Sequence, residues 1–397
     1  MKEFIEKIDK KQCYGCRACE QICPNECISM IENEEGFLFP RIDNKACNEC
    51  GLCEKACPAV EENILKIFHE PAVNVYAAWN NNLQERMNSS SGGVFPILAK
   101  TVLNNGGTVY GCAWKENSLE AHQIRITSVN DIPKLQGSKY VQSSTDDTFI
   151  KVKQDLQTRR EVLYTGTPCQ IAGLRLFLGK EYDNLTTVDL ICHGTPSPKL
   201  LSEYVKYIEE KYGKITDLKF RDKKKSGYSA YLSFITAEKQ KITELIGLSP
   251  FMVGFYKAFY NRESCYQCKF TAKKRVSDIT IADFWGFSLF HPGWKEEEKY
   301  GVSCILSNTS KGDFTITLID NDLTLVNSTL SNCSAKQPSL SNPNPRPNYR
   351  DIVFKDLNGK GFKFLANGIL RPRLYWLHKF TPAWVRNLLR PLKRTEL

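Results

Sequence analysis

Two stretches, EVLYTGTPCQIAGLRLFLG (161–179) and LTTVDLICHGTPSPKLLSEYVKYIEEKYG (185–213), read as one unit used twice: an apolar strand, a tight turn, a helix. In a parallel sheet all such strand-to-helix turns emerge on one rim, where ligands bind. Each turn here carries a cysteine, Cys169 in the first and Cys192 in the second. Two thiols distant in sequence are therefore expected at one edge of a sheet.

The alternation extends outward from this pair, from about residue 72 to 330. PAVNVYAAW (71–79) and TVYGCAW (108–114) are strand-like. SSSGGVFPILAKTVLNNGG (89–107) reads as a loop, a helix with Pro96 in its first turn, and a glycine stop. ITDLKF (215–220) and YSAYLSFIT (228–236) flank the basic turn RDKKKSG, a hairpin signal. DITIADFWGF (278–287) is a further strand. The pattern is that of an α/β body with some antiparallel strands.

Ahead of this body lies an internal repeat. IDKKQCYGCRACEQICP (8–24) and IDNKACNECGLCEKACP (42–58) align without a gap, and both contain C-x-x-C-x-x-C-x-x-x-C-P. Three closely spaced cysteines wrap one corner of a cubane, while the fourth, before proline, ligates the other cluster. Cys13, Cys16, Cys19 and Cys57 are thus assigned to one 4Fe–4S cluster, and Cys47, Cys50, Cys53 and Cys23 to the second. Structural zinc favours two separated pairs over such runs. Cys27 falls outside the spacing and reads as a small buried residue. Residues 59–73 read as a connecting helix or linker.

A C-x-x-C pair, Cys265 and Cys268 in ESCYQCKF (263–270), has no neighbouring pair in sequence. With Cys169 and Cys192 it supplies four thiolates for a third cluster. On spacing alone the alternative, two ordinary thiols and a pair that binds zinc or nothing, stands equally.

Composition narrows the function classes. The chain has 397 residues and 16 cysteines, with 42% hydrophobic and 25% charged residues. It begins without an apolar leader and has no apolar run long enough to cross a bilayer, so a reducing, cytoplasmic setting and metal rather than a disulfide framework are expected. The net charge of +10 is concentrated at the end: from Arg350 onward eleven Lys/Arg face three Asp/Glu. The body is near neutral, which excludes nucleic-acid binding by a broad basic surface. The interleaved aromatic and basic residues of 369–394, beyond the Pro/Asn-rich linker 342–349, suit an anionic membrane surface, or equally a helix whose aromatics pack on the body or on a partner.

Six motifs in order, SSSGGVFP, GSKYVQS, TGTPCQIAGL, DLICHGTPSP, FRDKK and RESCYQCKF…DITIADFWG, resemble the beta subunit family of coenzyme F₄₂₀-reducing hydrogenases and dehydrogenases. That family also includes plant 7-hydroxymethyl chlorophyll a reductase. The resemblance covers about residues 70–290 and departs at Ala282, where glycine is expected, and at Tyr228, where tryptophan is common. It implies a FAD-binding α/β domain carrying its own 4Fe–4S cluster. Ser90, Ser91, Gly92 and Gly93, opening a helix, are then the expected anion-binding residues for FAD. Lys139 and Tyr140 are expected beside the flavin ring, where a lysine stabilises reduced flavin. Apart from the resemblance, His193 reads either as a proton donor or as making a local hydrogen bond to the first turn of the next helix, and Arg221 and Lys223 either as facing an anionic substrate or as a solvated hairpin turn.

The expected fold class is therefore α+β and α/β. A ferredoxin-like domain for two clusters (1–62) precedes a mixed α/β flavin-binding body (72–155 and 156–335) and a basic amphipathic helical tail (350–397). The expected function is an iron–sulfur flavoprotein oxidoreductase taking electrons from reduced ferredoxin or a similar donor. Its expected acceptor is a small molecule or glycan precursor, with peripheral membrane contact through the tail. The competing readings are an electron-transfer subunit feeding a separate enzyme and a non-catalytic iron–sulfur sensor or scaffold.

Overall fold

The computed structural model describes residues 4–5, 8–9, 11–116, 118–223 and 231–372. Its N-terminal module is an antiparallel ribbon of β1 (Ile28–Glu32) and β2 (Leu38–Ile42), with one-turn helices Ala18–Gln21 and Leu52–Lys55 on the cysteine runs. The sequence repeat is also a conformational one. Matched residues Arg17 and Gly51 both sit in the left-handed region, at φ 60° and 74°, and turn each run into its helix.

The body follows as β3 (Asn74–Asn80), β4 (Thr108–Trp114), β5 (Ala121–Ile126), β6 (Val162–Gly166) and β7 (Leu185–Leu190). Then come β8 (Ile215–Asp222), β9 (Tyr231–Thr236), β10 (Lys241–Leu245), β11 (Ile279–Asp283), β12 (Ser303–Ser307) and β13 (Leu323–Ser328). Eight strands form one sheet in the order β13-β3-β12-β11-β7-β6-β4-β5, and β8–β10 form a separate antiparallel sheet. β4, β6, β7 and β11 run parallel. β3 lies two antiparallel steps from β11, so it points the same way. The ends of β3, β4, β6, β7 and β11 and the starts of β12 and β13 therefore share one rim.

Central strands are nearly continuous apolar runs because both faces are covered; β12 is buried at every position. Helix Pro168–Leu178 starts with a capping box, Thr167 with Gln170, and stops at Gly179, φ 68°. Helix Pro198–Tyr212 is capped by Ser197 and buries Leu200, Leu201, Tyr204, Val205 and Ile208 at helical spacing. That face packs with β8–β10 and helices Pro250–Tyr256 and Arg350–Asn367 around Phe220, Phe234 and Phe251.

The ferredoxin module is locked into this core. Phe37, 1% exposed, packs edge-on against Phe354. Arg350, equally buried, pairs with Glu35 at 2.6 and 2.7 Å and with Glu263 at 2.9 Å. The expected tail boundary at 350 thus falls at the start of a core helix, because Val353, Phe354, Leu357, Phe362 and Leu365 are buried there. The 342–349 segment is also docked: Asn344 donates to the His193 carbonyl at 2.6 Å and Arg346 pairs with Glu263. The expected amphipathic segment from 373 on, and Tyr228, lie outside the described residues.

Two cysteines depart from the metal-only expectation. Cys304 of β12 and Cys333 are joined as a disulfide, both fully buried. Among the described residues no helix is long and apolar enough to cross a membrane.

Candidate functional site

Cys169 sits one residue into its helix after β6, and Cys192 two residues beyond β7. Cys265 lies in the short helical segment Glu263–Gln267, with Cys268 at its end. All four line one cavity, together with Tyr14, His193 and Arg262. Donors aim at the sulfurs: Gly194 N–H to Cys192 Sγ at 3.3 Å, Thr195 N–H to Cys265 Sγ at 3.5 Å. Thr167 Oγ1 lies 3.2 Å from Cys169 Sγ.

The electrostatics of this ring call for a cation. Burial, and then neighbouring thiols, pushes Cys169 up to about 11 and Cys192 up to about 12. Burial likewise raises Cys265 and Cys268. Four thiolates are not stable together here without positive charge in the cavity, which cluster iron supplies. Among the described residues no three His, Cys, Asp or Glu converge on a single ion. Four cysteine thiols lining one cavity are a donor set of the kind that would hold a 4Fe–4S cluster.

Cys13, Cys16, Cys19 and Cys57 line a second cavity. Cys57 comes from the other half of the repeat, the crossing that the Cys-Pro positions imply. Burial raises the Cys16 and Cys19 thiols and pushes Cys57 up to about 12. Cys23, Cys47 and Cys53 pack about buried Cys27, with Cys23 and Cys27 sulfurs 3.3 Å apart, while Cys50 is exposed. Cys27 is therefore buried, as read, but against the second ligand set.

Tyr14 lines both cavities. Its hydroxyl is 3.5 Å from the Lys269 N–H and its ring meets Phe270 edge-on at 5.1 Å. Its hydroxyl pKa is raised by burial and then by the charge of Cys268.

The residues expected around a flavin lie on the same rim but with local partners. Ser90 Oγ accepts from Ser138 N–H at 2.7 Å, and Ser91 Oγ donates to the Val302 carbonyl at 3.1 Å. Gly92 N–H is bound to Ser303 Oγ at 2.9 Å, and a Cβ on Gly92 would overlap the Ala78 carbonyl oxygen. Glycine is thus needed for packing the loop on β3 and β12, and its N–H is already engaged. Gly93, at φ +86°, opens the helix Val94–Asn104.

Lys139 Nζ donates to carbonyls of its own turn, Gln136 and Gly137, each at 3.3 Å. Burial lowers its pKa. Tyr140 stacks on Phe255 at 4.4 Å, and His193 packs on the same ring at 4.8 Å. His193 lines the body cavity; its Nδ1 is buried without a partner and burial lowers its pKa.

Three buried cations escape a reading by motif. Arg275 pairs with Asp189 at 3.0 Å and donates to the carbonyls of Phe270 and Leu190, joining the Cys268 segment to the end of β7. Lys223, read as facing substrate, is 1% exposed and donates to the carbonyls of Ser91 and Tyr300 at 2.6 and 2.9 Å. Arg262 lies beside Cys13. Arg221, the other residue expected at the substrate, pairs with Asp283. The only signal for Arg262 and Arg275 is their place beside or just after the C-x-x-C motif.

Residues 159–329 match the family model for the C-terminal part of the coenzyme F₄₂₀ hydrogenase/dehydrogenase beta subunit, and residues 12–60 match "4Fe-4S dicluster domain". Among solved structures, a chain of the F₄₂₀-reducing NiFe hydrogenase complex from Methanosarcina barkeri aligns with a TM-score of 0.45 and 15% identity. The alignment covers 75% of this chain and 91% of that one. No curated protein matches.

Proposed function

Because the chain belongs to the coenzyme F₄₂₀ hydrogenase/dehydrogenase beta subunit family and carries a 4Fe–4S dicluster domain, we propose that it is an iron–sulfur flavoprotein oxidoreductase with three clusters. The observation that carries this is the meeting of Cys169, Cys192, Cys265 and Cys268 around one cavity whose wall residue, Tyr14, also lines the ferredoxin cavity. Cubanes supply one-electron transfer at low potential, and FAD, implied by the resemblance, supplies the exchange between one- and two-electron chemistry.

The chain's own residues then have distinct tasks. The exposed Cys50 edge of the second ligand set faces a ferredoxin-type donor. Gly194, Thr195 and Thr167 orient the body sulfurs. His193, with an unpartnered buried Nδ1 beside that cavity, holds a proton for the acceptor. The bonds already made at Gly92 move the expected FAD contact away from that N–H and toward the surrounding rim. The acceptor class is a small molecule, with glycan precursors the class that the resemblance implies.

Anaerobic purification with iron, sulfide and flavin analysis tests this. About twelve irons and twelve sulfides with bound FAD are expected from the ligand count. About eight irons without flavin would overturn the reading.

A further inference from the structure

Among the described residues four arginines are almost wholly buried: Arg86, Arg262, Arg275 and Arg350. Three have carboxylate partners, namely Glu297, Asp189, and Glu35 with Glu263. Arg262, 1% exposed, has none among the described residues. A buried ion without a counter-ion is costly, so compensating charge is expected close by.

The surroundings say where that charge lies. Nε donates to the Cys13 carbonyl at 2.5 Å, Nη1 to Gln142 Oε1 at 3.1 Å, and Nη2 to the Leu38 carbonyl at 2.8 Å. Nη2 also donates to Cys13 Sγ at 3.4 Å. On the other side Arg262 lines the cavity of Cys169, Cys192, Cys265 and Cys268. Its backbone carbonyl accepts from Cys265 N–H at 2.9 Å. The guanidinium lies over the Phe39 ring at 4.2 Å, which fixes its plane. Gly15 makes room for it: a Cβ there would stand 2.7 Å from Nη1. The guanidinium's neutral contacts are thus in place; the thiol it touches is Cys13 of one ligand set, and the residue lines the cavity of the other.

We propose that Arg262 is the shared cation of the first ferredoxin cluster and the body cluster, and that it makes their wall the electron-transfer junction. The inference rests on the three-cluster reading above. A positive charge and an N–H···S bond both favour the more negative reduced state, so Arg262 raises the potential of the two clusters it separates. The cluster of Cys23, Cys47, Cys50 and Cys53 lies outside its contacts and keeps its potential. Arg262 acts through the ligands and is a positioning residue.

The test is an EPR-monitored redox titration of full-length, anaerobically purified wild type, Arg262→Gln and Arg262→Lys, with iron counted in each. A Cys265→Ser sample identifies the body signal. In the Gln variant the reduction equilibria of the two flanking clusters should fall about tenfold, which is about 59 mV for one electron, and the third should stay within about threefold. The Lys variant keeps the charge, and its body cluster should stay within about threefold of wild type. Unmoved potentials in Gln, a common shift of all three clusters, or a tenfold fall of the body cluster in Lys would each overturn the inference. If Gln loses the flanking clusters, the Lys result decides. Wild type with two cluster signals and about eight irons would instead overturn the three-cluster reading.

Discussion

Replacing Lys223 by Met should flatten the rise of stability with pH above neutrality. Burial, reinforced by the charges of Arg221 and Arg86, lowers the Lys223 pKa from 10.5 to about 7. In the unfolded chain the amine keeps its ordinary pKa. Between those two values the unfolded state binds the extra proton, so stability climbs as pH rises through the window and is level below it. At about 1.4 kcal/mol per pK unit the whole window amounts to roughly 5 kcal/mol, and the part between about pH 7 and about pH 9 to roughly 2 kcal/mol. Met has similar reach and no titration, but it leaves the Ser91 and Tyr300 carbonyls without their donor. That loss costs about 1–3 kcal/mol for each carbonyl left unsatisfied, at every pH. Urea unfolding of both proteins under argon, compared at each pH, cancels the other titrating groups. The deficit of the variant should grow by roughly 2 kcal/mol from about pH 7 to about pH 9. A deficit constant within about 0.5 kcal/mol would refute a neutral buried amine at this site.

Cys265→Ser should lower iron from about twelve to about eight per chain and leave the two N-terminal clusters spectroscopically unchanged; loss of all iron, or of none, contradicts the assignment. Gly92→Ala should destabilise by about 1–3 kcal/mol in thermal or urea unfolding, because its methyl meets the Ala78 carbonyl and Ser303. Unchanged stability would mean the loop is not tightly packed on the sheet. Removing residues 373–397, which hold six Lys/Arg against one Glu, should leave clusters in place and weaken co-sedimentation with anionic vesicles. The difference should shrink in salt, since exposed charges are screened over about 8 Å at physiological ionic strength. Equal binding by both forms would assign the segment to another partner.

The grouping of the cysteines is legible in the sequence because it is set locally: the spacing of Cys13, Cys16 and Cys19, and a strand-to-helix turn ahead of Cys169 and Cys192, follow from short-range rules. Strands β5, β12 and β13 are not, since short apolar runs without a hairpin signal are ambiguous between strand and buried helix. Nor can the sequence tell why Gly92 is glycine. A Ser-Gly loop before a helix suggests an anion site, yet the deciding neighbours, Ala78 and Ser303, lie on two strands, one of them 211 positions away. Arg262 and Lys223 are hidden for the same reason, because each takes its meaning from distant partners, Cys13 at 249 positions for the first and Ser91 at 132 for the second. Charge in the FRDKK turn suggests solvent or substrate, while the fold buries Lys223 under the Ser91 loop.

The Glu35–Arg350 pair has a consequence for how the protein is made. Its two halves are 315 positions apart, and Phe37 waits for Phe354 in the same core. At about 5–20 residues per second, ribosomal synthesis separates them by roughly fifteen seconds to a minute. Through that interval the ferredoxin module already has part of its seat, where Gln142, Thr145 and Phe149 bond to Tyr14, Cys16 and Gln21, but not the part that the last helix supplies. Glu35 and Phe37 wait for Arg350 and Phe354, so the β1–β2 turn gains its last contacts after the rest of the module has its own. A chain cut short of residue 350 would keep the contacts to residues 142–149 and leave Glu35 and Phe37 without their partners.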